Sequence, residues 1–308
     1  MNATTVYISH ADCALHSMGA LHPESPDRLT AIGDQMIASG LDALLAQYDA
    51  PAATDEQLAL AHSPLYVAEL ATLAPHSGIR HLDPDTAMCP DTLRAARRAA
   101  GAGILATDMV LDGGARNAFC AVRPPGHHAE RMQAMGFCFF NNVAIAARHA
   151  LEVRGLERVA IVDFDVHHGN GTEQIFANDP RVLMVGFFQS PLYPYSGTEP
   201  AGPNILNTPL PAATGGKAVR ELLTSTWLPA LVAHAPQMIF VSAGFDAHRE
   251  DDMASMALVE ADYAWITEQL SAFADAHCGG RIVSMLEGGY DLSALGRSVV
   301  AHVRALIG

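Results

Sequence analysis

Val159, Ala160, Ile161 and Val162 run directly into Asp163, Phe164, Asp165, Val166, His167, His168, Gly169 and Asn170, and no other feature of the 308-residue chain constrains its fold as much. A short, continuous apolar run rich in β-branched residues reads as a strand buried on both faces, the habit of parallel sheets. The polar residues then emerge at the carboxyl end of that strand, where open α/β sheets bind their ligands. Asp165 and His167 are two residues apart, so they share a face if the strand continues. A carboxylate oxygen and an imidazole nitrogen on one face suit a divalent cation such as zinc. Capping of the following turn would account for one or two of these polar groups, not for the whole run.

The pattern recurs along the chain. Strand-like apolar runs lie at residues 5–9, 118–122, 159–163, 182–187, 238–242 and 282–286. Helix-like stretches lie at 26–39, 91–111, 141–153, 216–234, 255–276 and 292–307, the first with Pro26 in its opening turn, where helices tolerate proline. Strand–helix alternation over the whole length predicts an α/β fold, one domain spanning 1–308, with a mainly parallel central sheet and helices on both faces. The length suits one large domain with a substantial core. Half the residues are hydrophobic and 17% are charged, a folded composition. The stretch 190–211, rich in Pro, Gly and Tyr, reads as the longest loop, and long loops at strand ends are where sites are built.

The formal net charge is −15, with no basic cluster beyond Arg94, Arg97 and Arg98, whose spacing reads as a solvated helix face. That balance argues against a nucleic-acid partner and favours cationic ones, such as lysine-rich peptides or polyamines. The five cysteines are scattered and contain no CxxC spacing. This argues against a disulfide framework and a four-cysteine zinc site, and predicts a reducing, cytoplasmic setting. No basic–apolar leader opens the sequence, and no apolar run approaches the roughly 20 residues that span a bilayer. No membrane role is expected, and a homo-oligomer stays open.

Three further runs carry chemistry. Arg123, Pro124, Pro125, Gly126, His127 and His128 follow the strand at 118–122. The prolines and glycine stiffen this turn, and adjacent histidines can divide electrostatic and general-base work if their partners differ. Phe240, Val241, Ser242, Ala243, Gly244, Phe245 and Asp246 again pass from apolar strand to carboxylate. Asp246 completes an Asp/His/Asp set that leaves a position open for water and substrate, as in catalytic zinc sites; taken alone it reads as a helix N-cap. In Leu286, Glu287, Gly288, Gly289 and Tyr290 the paired glycines let backbone approach a ligand, and Tyr290 can aim its hydroxyl at an oxyanion.

These four runs, in this order, resemble the histone deacetylase family within the arginase-like α/β superfamily. Supporting matches are His22, Pro23, Glu24, Pro26, Asp27 and Arg28, then Asp83, Pro84, Asp85 and Thr86, then the run 136–142 from Gly136 to Asn142. Asn170 and Glu287 favour the class II and bacterial histone deacetylase-like amidohydrolases, since class I enzymes usually carry Asp and Gly there. The resemblance implies that Asp165, His167 and Asp246 bind one catalytic Zn²⁺. It implies that His127 and His128 hydrogen-bond the attacking water, with Asp163 keeping His127 cationic. Asn170 would face His128 and leave it the neutral general base, and Tyr290 would polarise the acyl carbonyl. Phe137 and Tyr193 would wall the acyl-lysine tunnel, with Gly136 and Gly289 lining it. A structural K⁺ is implied at Asp163, Asp165, His167 and Phe187, mostly through backbone carbonyls. The family usually places a serine hydroxyl on that ion where this chain has Gly186, so one ligand is missing.

The implied activity is zinc-dependent hydrolysis of N-ε-acyl-lysine in a peptide or protein, or of a similar small acyl amide. Acetylpolyamine hydrolysis is the alternative within the family. Those enzymes usually place a glutamate near the tunnel mouth where this chain has Met253, and an apolar rim favours acyl-lysine. An arginase-like ureohydrolase with two manganese ions would need more ligands around the same pocket. An inactive acyl-lysine binding module would have lost a ligand, Tyr290 or the histidine pair, and none is lost.

Overall fold

A computed structural model describes residues 4–308. Its strands are β1 (Thr5–Ser9), β2 (Ala46–Asp49), β3 (Arg80–His81), β4 (Ala87–Met88), β5 (Asn117–Cys120), β6 (Val159–Asp163), β7 (Val182–Gln189), β8 (Ile205–Leu210), β9 (Ile239–Ala243) and β10 (Ile282–Leu286). Its α-helices are α1 (Asp27–Ser39), α2 (Asp55–Leu58), α3 (Pro64–Leu73), α4 (Thr92–Leu111), α5 (Asn142–Arg148), α6 (Asn170–Phe176), α7 (Gly216–Leu222), α8 (Leu228–His234), α9 (Glu260–His277) and α10 (Leu292–Ile307). Eight strands form one sheet in the order β2-β1-β5-β10-β9-β6-β7-β8. Every neighbouring pair in it is parallel. β3 and β4 form a separate antiparallel pair.

Alternation along the central strands sends side chains into two cores. Val159 and Ile161 of β6 join the layer that holds α4 and α5, and Ala160 and Val162 join the layer that holds α1, α9 and α10. Each large apolar side chain so buried contributes roughly 1.5–3 kcal/mol. With both faces covered, the polar ends of the strands are the places left for chemistry.

The runs 5–9, 159–163, 282–286 and 292–307 match β1, β6, β10 and α10 residue for residue, and the other predicted strands differ from those observed by one or two residues at an end. The stretch 141–153 is α5 continued by a π-turn at His149–Val153, and 216–234 is α7 and α8 joined by another at Leu223–Trp227. The helix predicted from 255 begins only at Glu260, because Ala257 and Leu258 bridge to Gly215 and His248. The predicted loop 190–211 contains β8, an edge strand that tolerates Pro209. Arg94, Arg97 and Arg98 are more than a solvated face. Arg94 and Arg98 both pair with the buried Asp12, at 2.5 and 2.9 Å, and Arg97 donates to the Ala53 carbonyl.

Candidate active site

The carboxyl ends of β5, β10, β9 and β6, four adjacent central strands, carry the four motifs in turn. β6 stops at Asp163, so Asp165 and His167 do not share a face by continuing the pleat. Two carboxylates reach forward instead. Asp163 Oδ1 accepts from the Asp165 amide (3.1 Å) and Asp165 Oδ1 from the His167 amide (2.8 Å), successive Asx turns that aim both side chains the same way. Asp246 caps no helix. It follows β9 in a loop, where Oδ1 accepts from the Val166 amide at 3.0 Å. His167 Nδ1 then lies 3.1 Å from both Asp165 Oδ1 and Asp246 Oδ2. One ligand atom from each of the three residues falls within 4.8 Å of the others, and all three residues are buried.

Two glycines make room for this convergence. A Cβ on Gly244 would stand 2.0 Å from Asp165 Oδ2, and one on Gly288 would stand 2.0 Å from Asp246 Oδ2. Gly288 also donates its amide to Asp165 Oδ2 at 2.8 Å. The donor set fits a divalent cation electrostatically. Burial and then the charge of Asp165 push the Asp246 carboxyl up to about 6. Burial opposes charge on His167, yet its hydrogen bonds to Asp165 and Asp246 push its pKa up to about 10. Two carboxylates out of water around one imidazole favour positive charge between them, which a divalent cation would supply.

The adjacent histidines have different partners. His127 Nδ1 meets Asp163 Oδ2 at 3.0 Å. Burial disfavours its charge, but Asp165 and Asp163 overcome this and raise its pKa to about 10. His128 Nδ1 meets Asn170 Oδ1 at 2.8 Å. Burial first, then the neighbouring His127 and His167, hold His128 well below the ordinary imidazole value. One ring is therefore suited to carry charge and the other to accept a proton.

The predicted wall residues gather round the same point. The Tyr193 ring is 5.3 Å from that of His128 and 6.4 Å from that of His167, and the Phe137 ring is 5.8 Å from that of Tyr290. Gly136 and Phe137 both have left-handed backbone, φ 54° and 69°. At Gly136 a Cβ would strike the His128 ring at 2.4 Å. At Phe137 the strain, about 1–3 kcal/mol for such a residue, is held by the hydrogen bond its backbone N–H donates to Thr86 Oγ1 at 3.1 Å. Gly289, at φ 118°, precedes Tyr290, whose hydroxyl burial keeps well above the usual phenol value and therefore protonated. Met253 lies on the loop after β9, its amide bonded to Asp251 Oδ1 at 3.0 Å.

The sequence profile of the histone deacetylase domain matches residues 22–306. The chain belongs to the histone deacetylase family. It is 40% identical to the histone deacetylase-like amidohydrolase of Pseudomonas aeruginosa over 87% of this chain and 72% of that protein. It is 36% identical to the polyamine deacetylase HDAC10 of Mus musculus, over all of this chain but 47% of that protein. The solved structure of the HDA15 HD domain superposes with a TM-score of 0.92 at 32% identity, covering 99% of this chain and 90% of that one. The histone deacetylase fold and membership of the deacetylase and amidohydrolase family follow from these matches.

Several residues that shape this deacetylase site carried no assigned role in the sequence reading. Glu287 Oε2 accepts from the amides of Gly126 (2.6 Å) and His127 (3.1 Å), fixing the turn that holds the histidine pair. Asp251 Oδ2 accepts from the amides of Tyr290 (2.6 Å) and Asp291 (2.9 Å), and so ties the tyrosine to the Met253 loop. Arg28, fully buried, donates to the carbonyls of Gly289 (2.6 Å) and Glu287 (2.5 Å) and lies 4.9 Å over the Tyr290 ring. Glu287 carries a signal in the sequence, a charge between an apolar run and paired glycines, whereas Arg28 and Asp251 sit among polar and charged neighbours that mark neither burial nor a partner.

Around the expected potassium position, Asp165 and His167 are buried and no amide or side chain among the described residues donates to their carbonyl oxygens, whereas the carbonyls of Val166 and His168 are bonded. Phe187 is buried in β7 beside Gly186, which pairs with Asp163 across the sheet. All five cysteines are free and buried. No helix among the described residues is long and apolar enough to cross a membrane.

Proposed function

We propose that this protein is a zinc-dependent amidohydrolase that removes acyl groups from N-ε-acyl-lysine or a chemically similar acyl amine. The observation that carries the reading is the unequal pairing of His127 with Asp163 and His128 with Asn170, beside a buried Asp165–His167–Asp246 trio. Zinc bound by that trio would supply Lewis acidity toward a water and the acyl carbonyl. His128, neutral, takes the proton of the attacking water at Nε2 and returns it to the leaving amine. His127, cationic, offsets the charge that develops beside it, and the Tyr290 hydroxyl donates to the oxyanion. Phe137 and Tyr193 hold the methylene stem of the substrate between aromatic faces and exclude water from it.

K⁺ would complete the turn after β6 by accepting the unbonded carbonyls of Asp165 and His167, with Asp163 and Phe187 adjoining. Removal of acyl groups from polyamines is the second reading, favoured by the 36% identity to a polyamine deacetylase. Met253 at the position of a rim glutamate supports acyl-lysine over that alternative. A single ligand trio among the described residues supports one catalytic ion over a two-manganese ureohydrolase site. The test is a parallel rate comparison on acetyl-lysine peptides, longer acyl-lysines, trifluoroacetyl-lysine and acetylated polyamines, with metal content measured. Acyl-lysine turnover that tracks zinc content is expected. Turnover confined to polyamines would transfer the assignment, and metal-independent turnover would remove it.

A further inference from the structure

The proposed role of His128 requires one tautomer. With its proton on Nδ1, Nε2 offers a lone pair to water; with the proton on Nε2, it cannot act as a base. Among the described residues Nδ1 is bonded only by Asn170, and a primary amide can present either its oxygen or its NH₂ from nearly the same volume. The orientation of that amide therefore decides whether His128 can work.

The surroundings of Asn170 determine which end turns inward. Its Nδ2 lies 2.9 Å from Glu130 Oε1 and 3.3 Å from Met135 Sδ, and both of these only accept. Turning the amide over would set its oxygen against two acceptors. Glu130 is oriented in its turn, because Oε2 takes the Gln174 Nε2 hydrogen at 2.6 Å. Gln174 is a second amide, and its orientation is set by a group that cannot flip: the Arg131 backbone N–H donates to Gln174 Oε1 at 2.9 Å. The Glu130 main chain is also held, its N–H by the Gln133 carbonyl (2.9 Å) and its carbonyl by His62 Nδ1 (3.0 Å). A one-way series of donors and acceptors thus runs from the Arg131 amide through Gln174, Glu130 and Asn170 to His128.

We propose that Glu130 is a positioning residue which, through Asn170, keeps the proton of His128 on Nδ1 and leaves Nε2 free as the base. The proposal rests on the deacylase reading only for its kinetic consequence; the tautomer is a property of the chain. Replacing Glu130 by Gln, nearly the same in shape, inverts the series. Gln174 still donates to the one remaining oxygen, so the new NH₂ faces Asn170, Asn170 turns its oxygen outward, and its NH₂ meets His128 Nδ1. In Asn170→Asp the new carboxylate confronts the Glu130 carboxylate. Adding Glu130→Gln to it supplies a donor, and the second carboxylate oxygen accepts again from His128 Nδ1–H.

The test is ¹⁵N NMR of the zinc-loaded protein labelled at histidine, with His128 assigned from the His128→Ala spectrum, alongside kcat and KM on the best substrate. Wild type is expected to show the Nδ1–H tautomer, Glu130→Gln the Nε2–H tautomer, and Glu130→Gln/Asn170→Asp the Nδ1–H form again. kcat of Glu130→Gln should fall about tenfold or more with KM within about twofold, and the double variant should exceed Asn170→Asp alone. An unchanged tautomer in Glu130→Gln, or losses that simply multiply in the double variant, would overturn the proposal. Absence of turnover in wild type on every acyl amide would instead remove the proposed function and leave the tautomer result standing.

Discussion

Two buried charged clusters meet behind Tyr290, and they are built to opposite ends. In one, Glu24 accepts from Arg123 Nε and, at 2.7 Å, from Arg123 Nη2, with Arg28 Nη1 at 3.2 Å. The two guanidiniums also donate to the carbonyls of Cys13, His16, Glu287 and Gly289. Burial works against the Glu24 charge, but Arg123 holds its carboxyl down at about 2. In the other cluster, Asp163, Asp165, Asp246 and Glu287 crowd around His127 and His167. Three of those carboxyls are displaced upward, Asp163, Asp246 to about 6 and Glu287 to about 7, each first by burial. The first cluster satisfies its carboxylate with two guanidiniums from within the chain and holds the glycine turn before Tyr290. The second is left short of positive charge, which is the condition for binding a cation.

The difference can be broken from either side. The largest effect is expected from Glu24→Gln, which strips two buried guanidiniums of their counter-charge. It should cost about 3–5 kcal/mol in urea unfolding, and an unchanged midpoint would mean that the cluster is not integral to the fold. Next, Tyr290→Phe and His128→Ala should each lower kcat on an acetyl-lysine peptide about a hundredfold or more with little change in unfolding midpoint. Near-normal turnover in either would contradict the proposed chemistry. Third, zinc returned to stripped protein at a hundredfold excess over its Kd should add about 2.7 kcal/mol of stability, and Asp246→Asn should abolish that gain; calorimetry with and without metal measures both.

The most gradual effect lies away from both clusters. His302 is buried among Phe119, Phe164 and Phe245, bonded to Thr267 and Ser284, and burial lowers its pKa to about 3. Its folded value lies below the unfolded one of roughly 6.5, so the unfolded chain binds the extra proton between those values. The stability it contributes is complete above about pH 6.5 and declines as pH falls toward 3, by on the order of 1 kcal/mol per unit. His302→Gln should flatten that slope in unfolding measured from pH 7 to 4. An identical slope would place the acid sensitivity elsewhere.

Legibility in the sequence followed burial. β6 and β10 were exact because a short continuous apolar run reads as a strand covered on both faces, and α10 because its apolar residues recur at helical spacing over its whole length. β2 and β8 escaped because edge strands carry polar residues and proline, and α6 because it opens on Asn170 and Gly171 and is seven residues long. Gly171 is explained only in three dimensions, since a Cβ there would lie 2.2 Å from the Ala129 carbonyl. Among site residues, those at the ends of apolar runs stood out, and Asp165, His167, Asp246, His127 and His128 do converge. Glu130, Asp251 and Arg28 did not, because each acts by bonding a residue distant in sequence.

By itself the sequence determined which strands are buried, that the sheet is parallel, and which side chains stand at the strand ends, because periodicity and apolar content are local and additive. Only the tertiary structure decided how those side chains are charged and turned. Asp165 and His167 align through carboxylate-capped turns rather than a pleat, and His127 and His128, neighbours in the chain, are driven to opposite protonation, His127 by Asp165 and Asp163 and His128 by burial and the neighbouring His127 and His167. Electrostatics and hydrogen-bond direction depend on partners brought from elsewhere in the chain, and no local pattern carries them.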